Sequence, residues 1–287
     1  MSTVALSDLL AQLDLERLED DLFRGQSTDL GGISVFGGQV LGQALVAAQR
    51  TVTDRMCHSL HAYFLRPGDM RAPIIYEVDR IRDGRSFTTR SVHAIQHGRP
   101  IFVMSASFQA IEDGLEHQMP MPNALSPETL KSERELRSQL AERVPAPLRK
   151  LIDRDLGIEM RPVNPVDFFA PEKRAPENKV WIRSAGELPD DPCLHQALLA
   201  YASDFNFMGT SLLPHGITFM QGNLQGASLD HAMWFHRPFR MDQWLLYVMD
   251  SPSAAAARGF NRGSLYAQDG TLIASCAQEG LIRVRAG

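Results

Sequence analysis

The sequence predicts an α+β protein made of two tandem units, each a central helix wrapped by a curved antiparallel sheet. Three observations predict this. Runs 39–49 and 193–203 are apolar with small residues on several faces, the pattern of helices enclosed closely by other structure. Each is followed by strand-like runs, and hairpin-length turns between such runs imply antiparallel pairing. The second half also repeats the first in residues. Tyr63-Phe64-Leu65-Arg66-Pro67 returns 171 positions later as Trp234-Phe235-His236-Arg237-Pro238. His97-Gly98 with Ile101 returns 172 later as Asp269-Gly270 with Ile273, and Gln43-Ala44-Leu45 returns 153 later as Gln196-Ala197-Leu198. Motifs that return in the same order, at local offsets of 153 to 172 residues, mark a duplicated unit.

In chain order, residues 4–22 carry Leu6, Leu9, Leu10, Leu13 and Leu18 at helical spacing, which predicts an amphipathic helix packed on the body. The first central helix follows over 39–49. Strands are predicted at 59–65, 74–81, 86–95 and 101–108, with turns at Pro67-Gly68-Asp69, Asp83-Gly84 and His97-Gly98. The composition then shifts. Nine of the 17 prolines fall between Pro120 and Pro176, which reads as a linker. It holds one predicted helix over 127–144, with Ser126 as N-cap, Pro127 at the first position and Leu130, Leu136 and Leu140 inside. A second central helix over 192–203 and strands at 228–235, 244–249, 259–267 and 272–284 complete the repeat. The expected division is 1–112 for the N-terminal unit with its leading helix, 113–178 for the linker, and 179–287 for the C-terminal unit carrying the active site. A helix wrapped in an antiparallel sheet is the hotdog fold, so the chain reads as a double hotdog.

Composition narrows the function. A net charge of -5 and 22% charged residues argue against an extended nucleic-acid surface, which needs clustered Lys and Arg. Cys57, Cys193 and Cys276 are scattered and odd in number, so no disulfide framework or CxxC metal site is readable. The N-terminus has no signal-peptide pattern, no apolar run approaches the roughly 18 residues of a membrane span, and Arg285-Ala286-Gly287 is not a peroxisomal address. The expected location is the cytoplasm.

Standard signatures are missing: no G-x-S-x-G elbow, no phosphate-binding G-x-x-x-x-G-K-[ST] loop, no H-E-x-x-H. The glycines of 37–42 are misplaced for a dinucleotide fingerprint and read as packing residues. The pairs His58/His61 and His93/His97 have no cysteine or acid at matched spacing, and Cys276 reads as an inert buried thiol. What remains is one acid beside uncharged polar groups. Asp204 ends the second apolar helix, where a carboxylate needs partners or must surrender its charge. Ser228 opens the strand leading to Asp230-His231, and Gln278 lies in the last strand. Such a trio can hold one water, with the carboxylate as base. The ordinary alternatives are that Ser203 or Asp204 caps the next turn, that Ser228 is a strand-start hydroxyl, and that Gln278 bonds nearby backbone.

Longer motifs carry a family likeness: Leu22-Phe23-Arg24-Gly25, Val35-Phe36-Gly37-Gly38-Gln39, Phe64-Leu65-Arg66-Pro67-Gly68-Asp69, Tyr201-Ala202-Ser203-Asp204, Asp230-His231-Ala232-Met233-Trp234-Phe235-His236-Arg237-Pro238 and Gln278-Glu279-Gly280. With these the sequence resembles the acyl-CoA thioesterase II family over nearly its whole length. The resemblance implies hydrolysis of medium- or long-chain fatty acyl-CoA to fatty acid and CoA, with no metal, no cofactor and no covalent acyl-enzyme. It carries the family's water-orienting Asp, Thr or Ser, and Gln onto Asp204, Ser228 and Gln278. At Ser228 bacterial members often have Thr; serine keeps the hydroxyl and loses the methyl that stiffens the rotamer.

The repeat adds an expectation of its own. It sets Thr51 opposite Asp204, Cys57 opposite Ser228 and Ala106 opposite Gln278, so one working site is expected per chain, in the second unit. Two alternatives stand. An enoyl-thioester hydratase of the same fold needs a His a few residues beyond the Asp, where Gly209 and Thr210 stand here. A non-enzymatic acyl-CoA-binding module would release no thiol. Hotdog units associate through their sheets, so a homodimer or homotetramer is expected.

Overall fold

A computed structural model of the chain describes residues 3–30, 32–139, 155–221 and 223–285. The first unit runs β1 (Glu16–Glu19), β2 (Leu22–Gly25), α2 (Gly37–Gln49), β3 (Met56–Phe64), β4 (Ile74–Asp83), β5 (Phe87–Gln96) and β6 (Arg99–Gln109), preceded by α1 (Val4–Leu13). The second runs β7 (Ile158–Pro162), β8 (Glu177–Ser184), α4 (Pro192–Ser203), β9 (Leu224–Ser228), β10 (Asp230–Phe235), β11 (Leu245–Ala255), β12 (Arg258–Ala267) and β13 (Leu272–Val284). All pairings are antiparallel, in the order β1-β2-β4-β5-β6-β3-β10-β13-β12-β11-β8-β7, with β9 beside β13. The order reads the same from either end once unit one is matched to unit two. The two half-sheets join where β3 pairs with β10, Leu60 opposite Met233.

Both central helices lie in the main core against this sheet, and they pack on each other. They run antiparallel: Gly38 abuts the Tyr201 carbonyl, Gly42 the Ala197 carbonyl, and Gln49 Nε2 bonds the Cys193 carbonyl at the far end. The small residues noted in the sequence are what permit this approach. A Cβ on Gly38 would stand 2.3 Å from the Tyr201 carbonyl oxygen. The antiparallel arrangement sets the C-terminus of α4 against the N-terminus of α2, and this is where the site forms.

Three sequence expectations need correction. The leading helix ends at Leu13 rather than near 22, because the next residues pair as β1 and β2 and β2 hydrogen-bonds to β4; Leu18 is left exposed. The single helix expected over 127–144 is split. A 3-10 turn spans Pro127–Thr129, Leu130 is extended, and α3 (Glu133–Gln139) starts afresh. Ser126 is the N-cap of the turn, without a side-chain hydrogen bond, and Ser132 caps α3 through a reciprocal capping box with Glu135. Residues 140–144 of that expectation lie outside the described residues. Finally, the proline-rich 113–178 segment does more than connect. It supplies β7 and lays Met121, Ala124 and Leu130 over a second apolar cluster of Trp181, Trp244, Leu246 and Tyr266.

Candidate active site

Asp204 is the C-cap of α4, and its carboxylate points out of its own helix onto the start of the other one. Asp204 Oδ2 accepts the Gly38 N–H at 2.8 Å. The asymmetry between the two helix starts explains why. At α4 the N-cap Asp191 accepts from Cys193 and Leu194, so that terminus is satisfied locally. At α2 the N-cap is Phe36, which has no capping side chain, and Asp204 serves the orphan N–H instead. The capping alternative for Asp204 is thus partly right: it caps a helix, but the one in the other unit.

Gln278 reaches the same carboxylate from β13. Its Nε2 donates to Asp204 Oδ1 at 2.6 Å and lies 3.3 Å from Ser228 Oγ. Ser228 also stands close enough to Asp204 to help hold its carboxylate pKa down. A break in the strand aims the serine. Continuous β3 in the first unit, with its irregularity between Cys57 and Ser59, corresponds in the second to β9 and β10 interrupted at Leu229. Such bulges re-aim side chains beside active sites. The structure therefore brings Asp204, Ser228 and Gln278 together within hydrogen-bond reach.

Burial sets the electrostatics. Desolvation raises the Asp204 pKa above its ordinary value of 3.8, against the opposing pull of the Gln278, Gly38 and Ser228 hydrogen bonds. Asp204 and Ser228 line a cavity of about 870 Å³ whose walls include Phe36, Phe64, Phe205 and Met208. That volume lies in the range of small-molecule sites. Gln278 has no exposed surface and stands behind the two oxygens, and its Oε1 has no hydrogen-bond partner among the described residues.

The corresponding corner of the first unit is filled. Thr51 lies just beyond Arg50, the C-cap of α2, one position later than Asp204 after α4, and Arg90, the register partner of Ala106, is 2% exposed beside it. Arg90 Nε donates to Thr51 Oγ1 at 2.8 Å, and Nη2 to the Thr51 carbonyl at 3.1 Å and to Asp83 at 2.7 Å. Asn261 holds the matching place opposite Gln278 in the second unit.

The remaining candidates are accounted for elsewhere. His58 bonds Ser107, His61 packs edge-on against Trp234, and His93 and His97 face Asp79 and Asp69. Among the described residues no group of three or more His, Cys, Asp or Glu could hold a metal. Cys276 is buried against Tyr247 Oη and its pKa is pushed up to about 12. Sequence reasoning missed three contributors. Gly38 was assigned to packing alone, although it also supplies a donor, and nothing local marked that. His231 and Ser203 sit directly behind Gln278, and no spacing rule links positions so far apart.

Residues 151–281 match the family profile described as acyl-CoA thioesterase, and residues 26–109 the profile described as acyl-CoA thioesterase N-terminal domain. The chain is 43% identical to human acyl-coenzyme A thioesterase 8, covering 95% of this chain and 88% of that protein. It is 44% identical to acyl-CoA thioesterase 2 of Haemophilus influenzae, covering 97% and 98%. Among solved structures, acyl-CoA thioesterase II TesB2 of Mycobacterium marinum is 42% identical and superimposes with a TM-score of 0.78, covering 97% of this chain and 99% of that one.

Proposed function

The chain belongs to the acyl-CoA thioesterase family, and on that premise we propose that Asp204, Ser228 and Gln278 hydrolyse medium- and long-chain fatty acyl-CoA at one site per chain. The observation that carries this is the convergence of one desolvated carboxylate, a hydroxyl and an amide at the wall of an aromatic-lined cavity. Asp204 takes a proton from water as the water oxygen attacks the thioester carbonyl carbon. The C–S bond of the resulting tetrahedral species then breaks, and the proton passes to the departing CoA sulfur. Ser228 Oγ, at the cavity wall, holds the water and meets developing charge; Gln278 fixes both oxygens from behind. Phe36, Phe64 and Phe205 give the acyl chain an apolar wall. With a thiol reagent and a long-chain acyl-CoA, free CoA should appear at a steady rate. Binding without thiol release would leave the hydratase and binding-module readings.

Two expected results follow from the site. Ser228→Ala should lower kcat about 10- to 100-fold, the cost of a hydrogen bond to a charged group, whereas Ser228→Thr should stay within about threefold because the hydroxyl is kept. Steady-state kinetics on both variants decide this. The base must be ionised to act, so kcat/KM should fall with acid through one titration whose midpoint lies above 3.8, because burial raises the Asp204 pKa. The sign for stability is opposite. Between the unfolded and the raised folded value the native chain holds the extra proton, so Asp204 makes folding less favourable as pH rises through that interval. A pH–rate profile without an acid limb would remove Asp204 as base.

We also place the chain in the cytoplasm as a homodimer or homotetramer. Exposed Tyr63 and Trp234, on the adjacent strands β3 and β10, support association through the sheet. A single-subunit mass by light scattering at micromolar concentration would contradict this. No described helix is long and apolar enough to cross a membrane.

A further inference from the structure

We infer that His231 is a positioning residue for the hydrolysis: held by Ser203 as the neutral Nε2–H tautomer, it fixes which way the Gln278 amide faces. The inference rests on the proposed place of Gln278 in the site. His231 points inward from β10, is fully buried, and packs edge-on against Phe207 at 5.7 Å. Its Nε2 lies 3.0 Å from Ser203 Oγ, and its Nδ1 lies 3.2 Å from Gln278 Nε2.

The direction of each bond follows from the end of the chain. Ser203 Oγ donates its single proton to the Ala200 carbonyl at 2.9 Å, so toward His231 it accepts. His231 Nε2 therefore carries the proton and Nδ1 is an acceptor. Facing an acceptor, Gln278 must present its NH2 group; one N–H serves His231 and the other Asp204 Oδ1. Turning the amide over would set Oε1 against both the carboxylate and the imidazole lone pair. The Ser203–His231 pair thus makes the amide donate to Asp204 and keeps it beside Ser228. Ser203 is itself held, since Tyr247 Oη donates to its carbonyl at 2.8 Å and its side chain has no exposed surface. Burial pushes the His231 pKa down to about 3, so no positive charge forms next to the base near neutrality.

The test combines a spectrum with a mutant cycle on the full chain. In 15N-histidine-labelled protein, the His231 ring should show Nδ1 unprotonated and Nε2 protonated, unchanged from about pH 5 to 8. An Nδ1–H tautomer or an imidazolium would overturn the inference, and this needs no variant to fold. His231→Phe should lower kcat about 30-fold with KM within about twofold, by misplacing the amide. His231→Asn, whose carbonyl can stand where Nδ1 stood, should recover kcat to within about threefold of the native chain. In a Gln278→Ala background, His231→Phe should cost less than about twofold more. Equal losses from Phe and Asn, or a full additional loss in that background, would assign His231 to packing alone. Near-native turnover in Gln278→Ala itself would instead sink the proposed site, and with it this role for His231, while the tautomer assignment would stand or fall separately.

Discussion

Replacing Asp204 by Asn is expected to lower kcat about 10³-fold, the middle of the range for general-base catalysis, with acyl-CoA affinity changed less than about twofold. The geometry supports that split. The carboxylate stands at the start of α2 and at one wall of the cavity, while the apolar surface proposed for the acyl chain comes from Phe36, Phe64, Phe205 and Met208. Asparagine keeps the shape and can still accept the Gly38 N–H, so the helix terminus remains served, but its NH2 then faces the Gln278 NH2 and one hydrogen bond inside the site is lost together with proton transfer. A fall in kcat with unchanged binding means that an interaction made only in the transition state has gone. An increase in KM of the same size as the loss of kcat/KM would instead make Asp204 a binding group. First-unit substitutions at Thr51 or Arg90 act on a corner already filled by their mutual hydrogen bonds and reach the chemistry only through stability.

Gly38→Ala is the second large effect, and it falls on the fold. At an ordinary helix position alanine would gain about 1 kcal/mol over glycine. Here the new Cβ would stand 2.3 Å from the Tyr201 carbonyl oxygen and 2.6 Å from the Phe36 ring, so α2 and α4 must separate. Overpacking of this kind costs about 3 kcal/mol, which for a chain of this size lowers Tm by roughly 6–12 °C. Separation also lengthens the Gly38–Asp204 contact, so activity should fall in the protein that still folds. Two comparisons fix the reading. Gly42→Ala meets the Ala197 carbonyl at 3.1 Å and should cost less, and Gly209→Ala meets nothing within 4 Å and should leave Tm within about 1 °C. Thermal unfolding of the three variants should rank them in that order. An unchanged Tm for Gly38→Ala would mean the helices are not held at the distance described.

Much of this was legible in the sequence because it is periodic or repeated. The central helices showed themselves by small residues on several faces, and α4 begins and ends where the sequence placed it. The duplicated strands appear in the observed sheet order, mirrored about the β3–β10 junction. What was illegible depends on contacts far apart in the chain. β1 and β2 looked like the end of a helix because Leu18 continues its spacing; only pairing with β4 makes them strands. β7 is short and lies among prolines. The site shows the same division. A lone acid after an apolar helix invited attention to Asp204, and the family likeness supplied Ser228 and Gln278. Three things needed contacts between distant elements: the Gly38 donor across the packing of α2 on α4, the Arg90 plug between β5 and the end of α2, and the His231 support between β10, α4 and β13. Each joins residues of one helix or strand to another more than 25 positions away.

With Asp204 as base, water attacks the proposed thioester substrate directly and no acyl-enzyme forms. Rapid-quench single turnover of a long-chain acyl-CoA, with enzyme in excess and both products counted, tests it most directly. Free CoA and free fatty acid should appear together at one rate, with no acyl group left on the chain at any time. Release of CoA ahead of the fatty acid, with the missing acyl group recovered covalently on the protein, would contradict it.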